Sequence, residues 1–366
     1  MKNILVAGAG KIGSTIAALL DSAQDYAITV ADASRAALAG IKAGPRVQLQ
    51  TLDLTDPVAL RGALKGQFAV LSAAPFHLTT AIAEAAVAEK VHYLDLTEDV
   101  ASTRRVRQLA ETAQSALIPQ CGLAPGFVSI VAADLCRHFD SLHSVRMRVG
   151  ALPQFPSNAL NYNLTWSTDG VINEYCEPCE AIVDGVLRQV PPLAEHEEFS
   201  LDGVTYEAFN TSGGLGTLCE TLLGKVSHLN YKTIRYPGHA TIMKALLNDL
   251  RLRERRGVLK DILENALPTT LQDVVIVFVT VSGHREGRLM QETYAHKVYS
   301  HVVGGVLRSA IQITTASGIC TVLDLLASER LPARGFVRQE DIALADFLAN
   351  RFGMAYAEHP VERAAA

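Results

Sequence analysis

The sequence predicts an α/β protein in which a doubly wound parallel sheet is followed by a second α+β domain with a mixed or antiparallel sheet. Three observations support this prediction. Short apolar strands alternate with helices over roughly the first third of the chain. A glycine-rich turn joins the first strand to the first helix. From about residue 127 onwards, longer strands of period two are joined by tight polar turns.

The first strand and the helix after it enclose a glycine motif. Residues 4–7 are a short apolar run, as in a buried parallel strand, and residues 14–20 have the composition of a helix. Between them stands the pattern G-x-G-x-x-G, formed by Gly8, Gly10, Lys11, Ile12 and Gly13. In this context Gly8 permits a tight turn, Gly10 lets a pyrophosphate approach, and Gly13 lets the helix pack on the strand. The motif therefore predicts a Rossmann dinucleotide-binding domain, with phosphates at the helix N-terminus.

An acidic residue ends the second strand. Residues 26–31 are apolar, and Asp32 follows the motif at about the 20-residue distance at which such folds place an acid. A carboxylate there can bind both hydroxyls of the adenosine ribose and would repel a 2′-phosphate. The position predicts NAD rather than NADP, although Arg35 lies near enough to pair with a 2′-phosphate. In a second interpretation, Asp32 caps the following helix.

The rest of the first domain repeats the strand and helix unit. Strands are expected at 47–54, 68–74, 91–97 and 116–120, and helices from 57, at 77–90 and at 98–115. Asp53 and Leu54 end the third strand, where an adenine edge could meet them. The fourth strand ends in Ala73, Ala74 and Pro75, small residues that let the backbone approach a nicotinamide ribose. The ligand is therefore expected across the carboxyl ends of the strands.

The second half is expected to form a mixed or antiparallel sheet with helices on one face. Hairpins are expected at 198–209, around Asp202-Gly203, and at 272–302. Further strands are expected at 145–152, at 162–167, which contains Trp166, and at 226–236. Helices are expected at 128–139, 240–251, 257–267, 311–328 and 341–352, and a frayed tail at 358–366. The other face of the sheet needs cover, so a homodimer is expected.

Composition excludes several classes of partner. Of 366 residues, 49% are hydrophobic and 19% are charged, with a formal net charge of −5. No broad basic surface is available for nucleic acid, and the basic stretch 251–256 is expected to be a solvated helix face. No apolar stretch reaches the roughly 20 residues of a membrane span, and the first residues lack a secretory leader pattern.

The six cysteines are scattered and form no disulfide framework in a chain of this size. This usage fits a reducing cytoplasm. Cys176 and Cys179 form a C-x-x-C pair, but neither a second pair nor a set of histidines accompanies them. No metal site is therefore predicted.

Three motifs of the chain resemble the saccharopine dehydrogenase-like superfamily. They are Gly-Leu-Ala-Pro-Gly at 122–126, Glu-Ala-Phe-Asn-Thr-Ser-Gly-Gly at 207–214 and Tyr-Lys-Thr-Ile-Arg-Tyr-Pro-Gly-His-Ala at 231–240. They occur in the order and spacing of the family over essentially the whole chain, and look most like those of L-lysine 6-dehydrogenases. The resemblance implies a Rossmann domain at 1–124, a substrate and dimerisation domain at 125–308, and a C-terminal segment, 309–366, that returns to the first domain.

The reaction that the resemblance implies is NAD-dependent oxidation of the lysine side-chain amine with release of ammonia. The product, 2-aminoadipate 6-semialdehyde, would cyclise to Δ1-piperideine-6-carboxylate. Saccharopine-reducing members often carry an acid where this chain has Ala124. The alternatives are a saccharopine reductase or a carboxynorspermidine dehydrogenase, which typically use NADPH, and, in a different class, a protein that binds NAD without turnover.

A lysine-oxidising site needs a clamp for the amino-acid head group. Arg235 is predicted to bind the α-carboxylate through both oxygens, although a surface ion pair is the alternative. Hydroxyl and N–H groups that would assist, or would instead cap a helix, belong to Thr211, Ser212 and Gly213. Asp95, or as a second candidate Glu174, is predicted to bind the α-ammonium.

The site must also take a proton from the ε-ammonium, whose ordinary pKa is about 10.4. His239 is predicted to take it or to steer the attacking water, unless it caps its helix. Lys232 is a further candidate for polarising water or repelling the protonated amine. Tyr93 and Trp166 could line a channel for the methylene stem, although core packing is the commoner role of both.

Overall fold

Strands and helices alternate up to Ile118 in the computed structural model, which describes residues 1–357. The strands are β1 (Lys2–Ala7), β2 (Tyr26–Asp32), β3 (Val47–Thr51), β4 (Ala69–Ser72), β5 (His92–Asp95) and β6 (Ala116–Ile118). The helices are α1 (Lys11–Ala23), α2 (Arg35–Ala39), α3 (Pro57–Leu64), α4 (Thr79–Glu89) and α5 (Val100–Ala110). The central strands are apolar and buried because helices cover both faces of the sheet.

The six strands form one parallel sheet in the order β3-β2-β1-β4-β5-β6. This is the strand order of a Rossmann sheet, so the fold class predicted for the first half is confirmed. The winding reverses between β1 and β4, and ligands of such sheets bind beyond the carboxyl ends of the strands there. Gly8 follows β1 and Ala73 follows β4, so the glycine motif lies at the reversal point.

A second sheet follows, and its strands are mostly antiparallel. They are β7 (Ser141–Pro153), β8 (Cys179–Val183), β9 (Val186–Val190), β10 (Glu197–Leu201), β11 (Val204–Asn210), β12 (His228–Arg235), β13 (Asp273–Arg285) and β14 (Arg288–Tyr299), with β15 (His301–Val303) and β16 (Val306–Arg308) as a separate hairpin. The helices are α6 (Phe127–Cys136), α7 (Thr168–Cys176), α8 (Leu218–Leu222), α9 (His239–Lys244) and α10 (Arg256–Ala266). The order is β10-β11-β12-β7-β13-β14, and only β12 and β7 run parallel, so the predicted mixed sheet is confirmed.

The last described elements connect the two units. They are α11 (Ala310–Ala327), β17 (Gly335–Phe336) and α12 (Leu344–Ala349). α11 packs against α1 and β13, and β17 joins the first sheet beside β6. The carboxylate of Asp273 accepts hydrogen bonds from the N–H groups of Ala310 and Ile311, which anchors the start of α11 on β13. Within residues 1–357, α11 alone is long and apolar enough to cross a membrane, but 83% of it is buried inside the protein, as in a core helix.

The second sheet has two faces of different character. On β7, Met147 and Val149 point to the inner face and pack in the main core with α6 and α11. The alternate residues Ser144, Arg146 and Arg148 therefore lie on the outer face. The middle of the outer face is polar, and it is the face for which cover by a second subunit was predicted. The homodimer remains a prediction.

One predicted strand is wrong. Residues 162–167 are irregular, apart from a single bridge between Leu164 and Thr269. The side-chain amide of Asn158 donates to the carbonyl oxygen of Tyr162 at 2.7 Å, a local bond that competes with strand pairing. Ser167 then caps α7 by accepting from a backbone N–H group. Tertiary and local hydrogen bonds thus override the β-propensity of this segment.

Other differences are smaller. The β8–β9 hairpin was not predicted, although Asp184-Gly185 has the same left-handed turn as Asp202-Gly203 in the predicted hairpin. The helix expected at 341–352 is reduced to α12 with short 3-10 turns on either side. The tail expected to be frayed, 358–366, lies outside the described residues.

Candidate active site

The three glycines of the motif have different surroundings. Gly8 has a φ of +111°, and a Cβ there would lie 2.7 Å from the carbonyl oxygen of Ala73. A Cβ on Gly13 would lie 1.9 Å from the carbonyl oxygen of Gly8, so both positions exclude a side chain. At Gly10, no heavy atom lies within 4 Å of the position that a Cβ would take. The loop is therefore closed on one side and open at Gly10.

The open side at Gly10 fits a nucleotide pyrophosphate. α1 begins there with no side-chain cap and no acidic residue in its first turn. Its first N–H groups therefore remain available to an anion, and they belong to Lys11, Ile12 and Gly13.

Asp32 braces this loop from the end of β2. Its Oδ2 accepts a hydrogen bond from the N–H group of Ala9 at 2.7 Å, and its Oδ1 accepts from that of Ser34 at 2.7 Å. The side chain that caps α2 is Ser34, so Asp32 does not cap that helix. Arg35 is exposed at the start of α2. Asp32 is thus held beside the glycine loop, where a ribose-binding acid is expected.

The remaining nucleotide-binding candidates follow the same sheet edge. Asp53 is exposed beyond β3, and its Oδ1 accepts from the N–H and hydroxyl groups of Thr55. Leu54 is buried beside it. After β4, the N–H group of Ala73 donates to the carbonyl oxygen of Ala7 at 2.8 Å, and Ala74 and Pro75 follow. The sheet edge therefore brings these candidates into one row.

Arg235 ends β12 and is only 2% exposed. Its Nε donates to the hydroxyl of Tyr175 at 3.0 Å, and Nη1 donates to the carbonyl oxygen of Ile234 at 2.8 Å. Nη2 makes no hydrogen bond to any of residues 1–357. Burial alone would lower the pKa of Arg235, but Tyr175, Tyr162 and Glu174 outweigh it and raise the pKa. The alternative of a surface ion pair is wrong, and one edge of a buried, charged guanidinium remains open.

His239 lies behind Tyr175. Its Nδ1 is 2.9 Å from the carbonyl oxygen of Leu160, which can only accept, so Nδ1 carries the proton. Nε2 is then an acceptor and receives the hydroxyl hydrogen of Tyr175 at 3.1 Å. Burial and Arg235 lower the pKa of His239 to about 3, so the ring is neutral. Its side chain does not cap α9, because the carboxylate of Glu207 accepts from the N–H groups at that helix start.

Two carboxyl groups accompany Arg235. Burial and the neighbouring Glu98 raise the pKa of Glu174 well above its usual range, while Arg235 lowers it. Burial raises the pKa of Glu98 to about 7. The loop 211–216 joins the two, because the N–H group of Ser212 donates to the carbonyl oxygen of Glu174, and a Cβ on Gly213 would lie 2.5 Å from the carbonyl oxygen of Glu98. Glu98 was missed by the sequence analysis, although it follows β5 at the carboxyl edge.

Thr211 completes this group. It is buried, and its hydroxyl has no hydrogen-bond partner in the described part of the chain. An unpartnered buried hydroxyl is costly unless a ligand or a water satisfies it. We call the following residues the Arg235 cluster: Glu98, Glu174, Tyr175, Thr211, Ser212, Gly213, Arg235 and His239.

Asp95 and Tyr93 hold the first sheet together. The carboxylate of Asp95 accepts from the hydroxyl of Tyr93 at 2.8 Å and from the N–H groups of Thr97 and Gln120 at 3.0 and 2.8 Å. Burial raises the pKa of Asp95 to about 6. Tyr93 is fully buried in the core of the first sheet, so it lines no channel. These three hydrogen bonds do not test the predicted binding of the α-ammonium by Asp95, which stays a prediction.

Lys232 lies apart from the cluster. Lys232 stands three residues before Arg235 on the same strand and therefore points to the outer face. Its Nζ donates to Glu197 at 2.9 Å and to the carbonyl oxygen of Glu195. This position does not fit the catalytic role predicted for Lys232. Trp166 is half-buried and packs over Gly170 of α7.

The cysteine pair is not arranged as a metal site. Cys176 and Cys179 are buried free thiols, and burial raises the pKa of Cys176 and raises that of Cys179 to about 12. No group of three or more histidine, cysteine or acidic side chains among residues 1–357 could hold a metal ion.

Comparisons with known proteins lead to one family. Residues 4–119 match the saccharopine dehydrogenase NADP binding domain, and residues 122–352 match the saccharopine dehydrogenase C-terminal domain. The saccharopine dehydrogenase (NADP(+), L-glutamate-forming) of Saccharomyces cerevisiae is 23% identical over 277 residues, 71% of this chain and 59% of that protein. The protein of that name from Pyricularia oryzae is 22% identical over 263 residues, 68% of this chain and 57% of its own. The chain thus spans just under six tenths of these relatives.

A solved structure supports the fold. Apo histidine-tagged saccharopine dehydrogenase (L-Glu forming) from Saccharomyces cerevisiae superposes with a TM-score of 0.76 and 16% identity, covering 95% of this chain and 97% of that chain. At this identity the similarity establishes the architecture and carries no information about the substrate.

Proposed function

The chain belongs to the saccharopine dehydrogenase family, and we propose that it is an NAD-dependent dehydrogenase that oxidises the ε-amine of L-lysine. The observation that carries this proposal is the charge pattern of the Arg235 cluster. One buried guanidinium stands with two carboxyl groups, Glu98 and Glu174. L-Lysine has the complementary pattern, because it carries one carboxylate and two amino groups. Saccharopine carries three carboxylates, whereas the Arg235 cluster has one cation to bind them.

Binding of the substrate carboxylate follows from the open donors of the cluster. Nη2 of Arg235 and the hydroxyl of Thr211 have no partner within the described chain. A substrate carboxylate would satisfy Nη2, and a hydrogen bond to a charged donor is worth about 1.5–3 kcal/mol. Tyr175 and His239 are positioning residues in this proposal, because they hold the guanidinium from behind.

The acid pair accounts for the proton that oxidation must remove. With a pKa of about 7, Glu98 is partly ionised near neutral pH. We propose that the Glu98 carboxylate accepts one proton from the ε-ammonium, which leaves a neutral amine. A nucleotide held at the glycine loop by the N–H groups of Lys11, Ile12 and Gly13 would supply the acceptor for hydride from Cε. Water adds to the iminium carbon, ammonia leaves, and 2-aminoadipate 6-semialdehyde remains.

The preference for NAD rests on Asp32. Its carboxylate lies beside the glycine loop, where it would accept from ribose hydroxyls and repel a 2′-phosphate. Arg35, exposed at the start of α2, is the one nearby cation that could favour NADP.

A second candidate is an NADP-dependent saccharopine dehydrogenase that forms L-glutamate. The observation in its favour is that the two relatives reported above have this name. Ala124, in the turn where saccharopine-reducing members often have an acid, argues against it.

Reduced nicotinamide absorbance distinguishes the two candidates. Purified protein is assayed with L-lysine, L-ornithine or saccharopine, each with NAD and with NADP. We expect reduction of NAD with L-lysine and little turnover with saccharopine. Turnover of saccharopine with NADP and none of lysine would replace the first proposal by the second. Nucleotide binding without turnover of any amine would refute both.

A further inference from the structure

A polar groove runs along the outer face of the second sheet. β7 and β12 are parallel neighbours there, and their register places Ser144 beside His228, Arg146 beside Asn230, and Arg148 beside Lys232. Alternate residues of a strand share a face, so these side chains form two adjacent rows. The cavity that they line has a volume of about 340 Å³. It lies on the opposite face of β12 from Arg235.

The groove contains two closely spaced cations that are almost fully buried. Arg148 is 3% exposed and Lys232 is 5% exposed. Both depend on the carboxylate of Glu197, which accepts from Nη2 of Arg148 at 3.2 Å and from Nζ of Lys232 at 2.9 Å. A second acid, Glu195, lies at the exposed rim, 3.9 Å from Nζ of Lys232. Like charges in neighbouring register positions oppose pairing, so this arrangement is costly for the sheet.

Arg146 adds a third cation without a counter-ion. It is exposed at the mouth of the groove and forms no ion pair or hydrogen bond with residues 1–357. Burial lowers the pKa of Arg148, and the positive charge of Arg146 lowers it further. The uncompensated guanidinium therefore raises the positive potential over the two buried cations.

The side-chain NH₂ group of Asn230 faces the groove. Its Oδ1 accepts from Nη1 of Arg148 at 2.8 Å, so its NH₂ group is directed away from that guanidinium. The rings of His143 and His228 stand edge to face at the same end, with centroids 5.7 Å apart. Arg146, Asn230 and His143 thus offer donors around one cavity. The half-buried carboxylate of Glu197 is already shared, and Nε2 of His228 lies 3.7 Å from the carboxylate of Asp184.

We propose that this groove binds a small dianion through Arg146 and Asn230, with Arg148 and Lys232 supplying the positive field behind it. A carboxylate or phosphate group matches the planar fork of an arginine and would offset the crowded cations. The volume accommodates an ion of the size of phosphate or a short dicarboxylate. The site is separate from the Arg235 cluster and does not depend on the proposed reaction.

Isothermal titration calorimetry tests this site, with inorganic phosphate and succinate as probes at constant ionic strength. We expect the wild type to bind at least one of them. The probe that binds more tightly distinguishes a phosphate site from a dicarboxylate site. Arg146→Gln should weaken binding at least about tenfold, because it removes a charged, bidentate donor. Arg188→Gln is the matched control, since Arg188 is an exposed strand arginine outside the groove. Asn230→Asp should also weaken binding by placing a negative charge in the groove.

Three results would overturn the proposal. One is the absence of binding by both probes in the wild type. Another is undiminished binding in Arg146→Gln. If saturating NADH displaces this binding, the anion lies at the glycine loop and not in the groove. The third is a wild-type dimer in sedimentation velocity that dissociates in Arg146→Gln, since the groove would then be an interface between copies. Circular dichroism confirms that each variant is folded.

Discussion

At the scale of single residues, the hydrogen bonds behind Arg235 have only one consistent direction. The carbonyl oxygen of Leu160 fixes the proton of His239 on Nδ1, which makes Nε2 the acceptor for Tyr175. The oxygen of Tyr175 is then available to accept from Nε of Arg235. Because the pKa of His239 is lowered to about 3, its ring stays neutral and this arrangement persists at pH values well above 3. Tyr175 therefore orients the guanidinium.

Tyr175→Phe tests this arrangement, because it keeps the ring and removes only the hydroxyl. We expect the KM for L-lysine to rise about tenfold, since the guanidinium loses one of its two anchors. The free energy of unfolding should fall by about 1–3 kcal/mol, because two buried polar groups lose a partner. Steady-state kinetics and urea denaturation measure the two effects. Tyr299→Phe, at a half-exposed tyrosine, is the matched control, and an unchanged KM in Tyr175→Phe would contradict the positioning role.

Glu98 connects stability to pH. Its pKa is raised from 4.5 to about 7 in the folded chain, so the folded state holds a proton that the unfolded state has released between these values. Stability from this group is present below pH 4.5 and is lost as the pH rises to about 7. Glu98→Gln has no such loss. We expect the free energy of unfolding of Glu98→Gln, measured by urea denaturation, to exceed that of the wild type by on the order of 1–3 kcal/mol at about pH 8. At about pH 4 the two free energies should be equal.

The same variant tests the proton acceptor. Wild-type kcat/KM should rise with pH around 7, as Glu98 ionises, and Glu98→Gln should lose this rise together with most of kcat. Glu264→Gln, an exposed acid of α10, is the control for both measurements. A pH profile that survives in Glu98→Gln would transfer the role to another group.

At the scale of elements, the loop 211–216 decides how the second unit meets the first sheet. It follows β11 and brings the N–H group of Ser212 to the carbonyl oxygen of Glu174. Gly213, with a φ of +83°, lets this loop contact the backbone of Glu98. The glycine is required for two reasons, its left-handed conformation and the close approach.

Gly213→Ala and Gly185→Ala separate the two reasons. Gly185 has a similar φ of +76° but no heavy atom within 4 Å of a Cβ, so its substitution measures the conformational cost alone, about 1–2 kcal/mol. Gly213→Ala adds a contact of 2.5 Å with the carbonyl oxygen of Glu98. We expect Gly213→Ala to lose more stability than Gly185→Ala in denaturant melts, and to raise the KM for lysine as the loop shifts. Equal losses and an unchanged KM would show that the contact is unimportant.

At the scale of the whole molecule, the C-terminal segment connects both units. Glu340 is buried, and its carboxylate accepts hydrogen bonds from the hydroxyls of Thr217 and Thr221 at α8. Its carbonyl oxygen accepts from Arg137, next to α6. Ion pairs of Arg104 with Glu180 and of Arg107 with Glu220 cross from α5 to the second unit on a more exposed side. Since exposed pairs contribute little, the buried contacts of Glu340 should dominate.

Glu340→Gln tests this connection. The amide can accept at one oxygen only, so we expect the free energy of unfolding to fall by about 1–3 kcal/mol and amide exchange in α8 to accelerate. Chemical denaturation and hydrogen exchange by mass spectrometry measure these effects. Glu329→Gln, at an exposed acid after α11, should change neither. Unchanged exchange in Glu340→Gln would show that α8 is held by other contacts.

Much of this architecture follows from local features of the chain. The glycine spacing, the apolar strands and the position of Asp32 are short-range patterns, and the Rossmann sheet follows them. The sequence also allowed the prediction that Lys232 and Arg235 lie on different faces of the sheet, because residues three apart on a strand point to opposite faces. The segment 162–167 shows the limit, since its strand-like composition is overruled by the side-chain bond of Asn158.

By itself, the sequence determined the alternation of strands and helices in the first domain and the position of the glycine loop, because these depend on neighbours along the chain. The strand order and the burial of Arg235 depend on tertiary contacts. Tertiary structure alone decided that Glu98 meets Glu174, that Tyr175 directs Arg235, and that Asp95 braces the first sheet. Each of these contacts joins residues that are far apart in sequence or on different elements. Their pKa values and hydrogen bonds arise from burial in the folded chain, which no local pattern contains.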